Sequence, residues 1–365
     1  MMDDFTLNRE VRLIEDLLQR GIELDHQGQP ESALTLVMQT CEHACQTLGS
    51  KHYLYARSLE NLGLLYWRTE NYEQAQSCYG QALKIWQQSL PENHPDIATS
   101  WSNLGTLRWQ IGNFEQAQSF YQQALEIRRK ALPPDHPDIA TSWNNLGMLH
   151  WQMQNDEQAH FCYQQALEIR RKTLPPDHPD LATSCNNLGM LCWQMGSPET
   201  AQTYLQQALE IRCRTLSLDH PDIVTSWNNL GMLYWQMGNS EIALSYLQEV
   251  LEIRCKTLPP EHLNIAISSG NLGAMYWQTG DYKKAQFYYQ RALAIWENTL
   301  PEHHPDFAVI LCSLGSLHQE MGDYPAALPL LQRALAIWEN TLPEHHPDFA
   351  VILCSLGSLH QEMGD

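Results

Sequence analysis

Between Pro95 and Ile111 the apolar residues Ile97, Trp101, Leu104, Leu107 and Ile111 fall on one face of a wheel drawn at 100° per residue. This predicts a helix with a core-facing stripe, called helix A below. A second stripe, Ala117, Phe120, Tyr121, Ala124 and Leu125, predicts a following helix B. Helix A opens at a turn such as His136-Pro137-Asp138, where proline is preorganised for the first helical position and aspartate suits the positive helix end. It stops at QIGN or QMGN, whose glycine can turn left-handed. Asn113, Asn155, Asn239, Asp281 and Asp323 are placed to cap helix B, and PPDHP loops end it. The other face of helix B carries the i,i+4 pairs Glu126–Lys130, Glu168–Lys172, Glu210–Arg214 and Glu252–Lys256.

The pattern repeats. Gly63, Gly105, Gly147, Gly189, Gly231, Gly273, Gly315 and Gly357 stand 42 residues apart, the first six in N-L-G and the last two in S-L-G. A fixed period of this size predicts stacked supersecondary units, so the 365 residues are one growing stack and not two or three globular domains. The expected fold is all-α: a right-handed α-solenoid, or superhelix, of antiparallel helix pairs. Residues 1–50 read as a degenerate N-terminal repeat or cap. Residues 51–323 read as tandem repeats, and 324–365 as one more repeat ending in an unpaired helix A.

Composition narrows the function classes. A net charge of −20 disfavours nucleic acid and anionic membrane as partners, because both need a basic footprint. Ten cysteines without ligand-like spacing fit a reduced cytoplasmic setting. No signal peptide and no apolar run of membrane length is visible.

Trp227-x-x-Leu230-Gly231-x-x-Tyr234 and Ala285-x-x-x-Tyr289-x-x-Ala292 resemble the helix A and helix B signatures of the tetratricopeptide repeat. The 42-residue form, with ALEIRRKTLPPDHPDLATSCNNLG, is similar to the repeats of kinesin light chains and related bacterial proteins. Residues 1–50 lack the heptads that precede those repeats in kinesin light chains, so the chain is not read as a motor subunit.

The face of helix A opposite its core stripe holds amides and hydroxyls with almost no charge. One column is Asn61, Asn103, Asn145, Asn187, Asn229 and Asn271; a second is Thr99, Thr141, Thr183 and Thr225; a third is Gln110, Gln152, Gln194 and Gln236. Such groups offer donors and acceptors to an extended backbone without desolvating charge. The resemblance implies that this face lines a concave groove and that the six asparagines contact peptide. The alternative is that they pack between repeats. Trp67, Trp109, Trp151, Trp193, Trp235 and Trp277 form a column at the edge of the face, suited either to anchoring a ligand or to packing on the next repeat. Arg57 and Arg68 are its only cations, at the N-terminal end. Past Gly273, Val309, Ser313, Gln319 and Glu320 replace Thr, Asn, Trp and Gln, and the binding chemistry is expected to end there.

No catalytic motif, cofactor or metal site is expected. His94, His136, His178, His220, His304 and His346 all lie in the turn into helix A, where capping is the simplest role. Copies one repeat apart are roughly 8–10 Å from one another, too far to share a metal. On a helix, His43 points away from Cys41 and Cys45. The reading is a protein-interaction scaffold; its alternative is a sensor or regulatory module of a longer signalling enzyme. Residues 291–323 and 333–365 are identical, which marks either a very recent duplication or a sequence-assembly error. The chain reads as a fragment of a longer protein. Its last helix is expected to expose Phe349, Ile352 and Leu356 and to offer an edge for self-association.

Overall fold

A computed structural model describes residues 4–301, 304–343 and 346–363, among which there are seventeen α-helices and no strand. The chain divides into two compact units, Met1–Leu191 and Cys192–Asp365. The first holds α1 (Asp4–His26), α2 (Pro30–Leu48), α3 (Tyr53–Arg68), α4 (Tyr72–Ser89), α5 (Pro95–Gln110), α6 (Phe114–Ala131), α7 (Pro137–Gln152), α8 (Asp156–Thr173) and most of α9 (Pro179–Gln194). The second holds α10 (Pro198–Thr215), α11 (Pro221–Gln236), α12 (Ser240–Thr257), α13 (Leu263–Gln278), α14 (Tyr282–Thr299), α15 (Pro305–Glu320), α16 (Tyr324–Thr341) and α17 (Pro347–Met363). Odd-numbered helices are A and even-numbered ones B. Within each unit an A helix packs on the B helix that follows it and on the one that precedes it, which is the tetratricopeptide solenoid arrangement.

The helix boundaries follow from local chemistry. His94, His136, His220 and His304 are N-caps: Nδ1 accepts the backbone N–H two residues on, at 3.1–3.3 Å, ahead of the proline at the helix start. Asn113, Asp281 and Asp323 cap helix B through their side chains, but Asn155 and Asn239 hold the same position without a capping bond. The turn from A to B needs a left-handed residue. Gly112, Gly196, Gly238, Gly280 and Gly322 supply it, whereas Glu70 and Gln154 adopt φ of 61° and 59° at the matching positions.

Two contacts recur, one within a hairpin and one between successive hairpins. In four hairpins the glycine of the repeat motif lies under a tyrosine ring of its own helix B. A Cβ on Gly63, Gly105, Gly147 or Gly273 would come within 2.6–2.8 Å of the ring of Tyr79, Tyr121, Tyr163 or Tyr289. The second contact is an arginine near the end of helix B. Arg128 and Arg170 are 5% exposed. Nη1 of each donates to the next A helix, to Ser142 Oγ and Asp138 O, or to Ser184 Oγ and Asp180 O, at 2.7–3.3 Å. Burial pulls the pKa of both guanidinium groups down, and Asp138 and Asp180 oppose it. Arg212 and Arg254 repeat the contact in the second unit but are only half-buried.

Trp86 takes the place of this arginine between α4 and α5. The matching site on α3 is Glu60, which accepts a hydrogen bond from Ser100 Oγ. With an indole where Arg128 stands one repeat later, burial pushes the Glu60 carboxyl up to about 7.

Three packing expectations change. Ile111 is 46% exposed because helix A ends one residue earlier, leaving Ile111 as the C-cap. Phe120 is half-buried and packs on Trp101, ring centroids 5.0 Å apart. On α17, Ile352 and Leu356 are buried because that helix packs on α16, and Phe349 is half-buried. The large apolar residues exposed there are Val351, Leu353 and Met363.

Candidate functional site

The face of the A helices holds the four predicted columns, taken here unit by unit. In the first unit Asn61, Asn103, Asn145 and Asn187 are half-buried; Thr99 is half-buried, and Thr141, Thr183, Gln110, Gln152, Arg57 and Arg68 are exposed; Trp67, Trp109 and Trp151 are half-buried. In the second unit Asn229 and Asn271 are half-buried, Thr225, Gln194, Gln236 and Gln278 are exposed, and Trp193, Trp235 and Trp277 are half-buried.

Hydrogen bonding separates the columns by what each has left to offer. The threonines donate inward: Oγ1 of Thr99, Thr141, Thr183 and Thr225 bonds the carbonyl of the helix-opening proline four residues back, at 2.9–3.3 Å. What remains is acceptor capacity, and Thr99 Oγ1 uses part of that to accept from Arg128 Nη2 at 3.4 Å. In the second unit the indole N–H groups are also engaged. Trp193 donates to Gln236, Trp235 to Gln278, and Trp277 Nε1 to Glu320 Oε2 at 2.7 Å. The Trp and Gln columns there form one brace from repeat to repeat. In the first unit Trp67 and Trp109 bury Nε1 without an acceptor among the described residues.

The asparagines are not equivalent either. Asn187 Nδ2 donates to Asn144 Oδ1 of the preceding repeat at 3.1 Å, so that amide serves packing. Among the described residues Asn61, Asn103, Asn145 and Asn271 make no side-chain hydrogen bond, and their amides keep both donors and acceptors.

The two cations are drawn into the first repeat. Arg68 Nη1 pairs with Asp25 Oδ2 of α1, a carboxylate 8% exposed. Arg57 lines a cleft of about 260 Å³ with Glu15, Asp16 and Asn61. Acidic side chains of α1 therefore offset both arginines, and the face stays nearly neutral to its end.

Beside the asparagines runs the column of Thr106, which the wheel places on this face but whose apolar counterparts sequence reasoning passed over. Thr106 has its counterparts in Leu64 (exposed) and in the half-buried Met148, Met190 and Met232. The amides thus adjoin flexible, polarizable side chains suited to varied apolar partners. The signal was present in the repeated N-L-G-M. The arginine column was missed for a different reason, since EIRRK looks like a solvated charged face. A separate cleft of about 310 Å³ between α6, α7 and α8 is walled by Ile139 and Trp143 and rimmed by Arg129, Asp135, Glu168 and Lys172, two charges of each sign. No group of side chains that could hold a metal ion occurs among the described residues.

The family model of the tetratricopeptide repeat matches residues 17–88, 57–130, 96–172, 138–214, 180–256, 222–298 and 306–365. The chain is a tetratricopeptide-repeat protein. Among solved structures, this repeat protein is similar to a putative kinesin light chain with nearly identical repeats from Podospora anserina. The identity is 27%, over 57% of this chain and 99% of that one, with a TM-score of 0.51. It is similar to BtubC (BKLC) from P. vanneervenii at 23% identity, over 64% and 94% of the two chains, TM-score 0.54. A signal-transduction ATPase of the STAND type with a tetratricopeptide sensor, PH0952 from Pyrococcus horikoshii, matches 93% of this chain and 53% of its own, at 16% identity and TM-score 0.68. That last likeness is one of fold. A search of curated proteins by sequence finds no match. The repeats are kinesin-light-chain-like, and tetratricopeptide repeats of this kind make a protein-interaction scaffold. No helix among the described residues is long and apolar enough to cross a membrane.

Proposed function

We propose that the A-helix face binds an extended, weakly charged peptide or partner segment, and that the protein acts by this binding and not by catalysis. The observation that carries the reading is the state of Asn61, Asn103 and Asn145. They are half-exposed on consecutive A helices, and the fold makes no use of their amides. Amides at the repeat spacing can pair with the N–H and C=O groups of an extended backbone, with Met148 and Met190 available to its side chains. Arg57 and Arg68 are offset by α1, so salt should weaken binding little.

The test uses a peptide array of extended, uncharged sequences to find a binder, which is then titrated against the full chain. Replacing Asn61, Asn103 and Asn145 together by Ala should weaken binding by about 1–3 kcal/mol for each ligand group left unpaired, with little change in melting temperature. Normal binding with a much lower melting temperature would assign the column to packing. A second reading, a sensor module within a longer signalling protein, draws only on the fold likeness to the STAND protein, whose tetratricopeptide part is a sensor. A longer reading frame that includes an effector domain would favour it.

A further inference from the structure

The A-helix face changes chemistry within the second unit. At the threonine column stand Ile267, Val309 and Val351, which are 45%, 53% and 56% exposed. They lie on α13, α15 and α17, each of which touches the next. Ile267 lies outside the 33-residue identity, so copying alone did not produce the row. Eleven residues further along α15 and α17, at the glutamine column, are Glu320 and Glu362, both exposed. Glu320 accepts from Trp277, and Glu362 Oε2 accepts from Gln319 at 3.2 Å. Each carboxylate keeps further lone pairs facing out. No Lys or Arg occurs on α13, α15 or α17.

Between the apolar row and the acidic row the side chains of α15 and α17 are small, Ser313, Ser316, Ser355 and Ser358, while α13 places Asn271 and Ala274 there. At 1.5 Å per residue the two rows are about 16 Å apart, room for a helix of roughly 10–12 Å diameter. Backbone chemistry makes the same choice. Ser313 and Ser355 replace the asparagine of the earlier repeats, and their hydroxyls donate to Val309 O and Val351 O at 2.9 and 3.1 Å. Between the two rows α15 and α17 thus have no amide to pair with an extended strand, and Asn271 of α13 is the one left, so an occupant that crosses α15 and α17 must satisfy its own backbone, as a helix does.

From this juxtaposition we infer that α13, α15 and α17 form a docking trough for a basic amphipathic helix, with its apolar flank on Ile267 and Val309 and its Lys or Arg flank on Glu320 and Glu362. The inference rests on reading the A-helix face as the interaction surface, but it concerns helices other than those of Asn61, Asn103 and Asn145. The two readings therefore fail separately.

The probe is a labelled 20-residue model helix with Leu along one flank and Lys along the adjoining one, titrated into the full chain by fluorescence anisotropy. A scrambled peptide of the same composition and a version with Glu for Lys are the controls. The Leu/Lys helix should bind at least about tenfold more tightly than either. Ile267→Thr with Val309→Thr restores the side chain of the earlier repeats and should weaken binding about tenfold. Glu320→Gln with Glu362→Gln should weaken it several-fold and flatten its salt dependence. The Asn61, Asn103 and Asn145 triple replacement should leave it unchanged. Equal binding of the scrambled peptide, or wild-type affinity in the threonine variant, would overturn the inference. So would a dimer of the chain that the threonine variant dissolves, since the occupant would then be a second copy.

Discussion

The A-helix faces of α5 and α7 and of α13 and α15 share one scaffold and differ in what they present. Both pairs start at a histidine N-cap, and both set a motif glycine against helix B, under Tyr121 and Tyr163 in one case and Tyr289 and Leu331 in the other. On α5 and α7 the face reads Thr, Asn, Thr or Met, Gln. On α13 and α15 it reads Ile or Val, Asn or Ser, Ala or Ser, Gln or Glu. The histidine caps and the motif glycines persist, while the solvent-facing columns drift. The proposed function assigns recognition to the drifting columns and stability to the persistent ones, an assignment that can be broken from either side.

The largest effect is expected at the buried arginines. Arg170→Ala leaves Ser184 without its donor and opens a cavity, at a cost of about 2–4 kcal/mol. Arg254→Ala should cost less because that side chain is half-exposed. Chemical denaturation measures both, and equal losses would show that burial does not set the strength of this contact.

Next comes Glu60. Its folded pKa of about 7 lies above the usual carboxylate value, so the folded state holds the proton more tightly than the unfolded chain does. The stability this provides is fully present below about pH 4.5 and is lost as pH rises through 7. Glu60→Gln should remove that slope and gain on the order of 2 kcal/mol over the parent above pH 7. A parent stability that stays flat from pH 4.5 to 7.5 would refute the assignment.

A smaller, two-signed effect separates the motif glycines. Gly147→Ala drives a methyl against Tyr163 and should cost about 1–2 kcal/mol. Gly357→Ala meets nothing within 4 Å and should gain up to about 1 kcal/mol from helix propensity. Paired melting curves decide whether the tyrosine contact is the reason for the glycine. The smallest effect is at Gln154, where a left-handed backbone carries a side chain; Gln154→Gly should raise stability by under about 1 kcal/mol.

The helix pairs, their caps and the glycine turns were legible in the sequence because each depends on residues close together along the chain. What was not legible depends on neighbours 43 residues away, across a repeat boundary that no single helical wheel represents. Trp193 reaches Gln236 and Asn187 reaches Asn144 in this way. Two columns that looked like free recognition groups are thereby partly engaged. Arg128 hid in a run of charge, and its burial shows only when the next A helix is laid over it. The reverse happened at Ile352 and Leu356, which look exposed on an unpaired helix but are covered because α17 packs on α16.

The central claim is that the amides left idle by the fold are those that meet a ligand. Its most direct test is the side-chain amide spectrum of the full chain labelled with 15N at asparagine, followed during titration with an array-selected extended peptide. The account predicts that the Asn61, Asn103 and Asn145 signals shift while that of Asn187, tied to Asn144, stays in place. Saturable binding that leaves all three signals unmoved would contradict it.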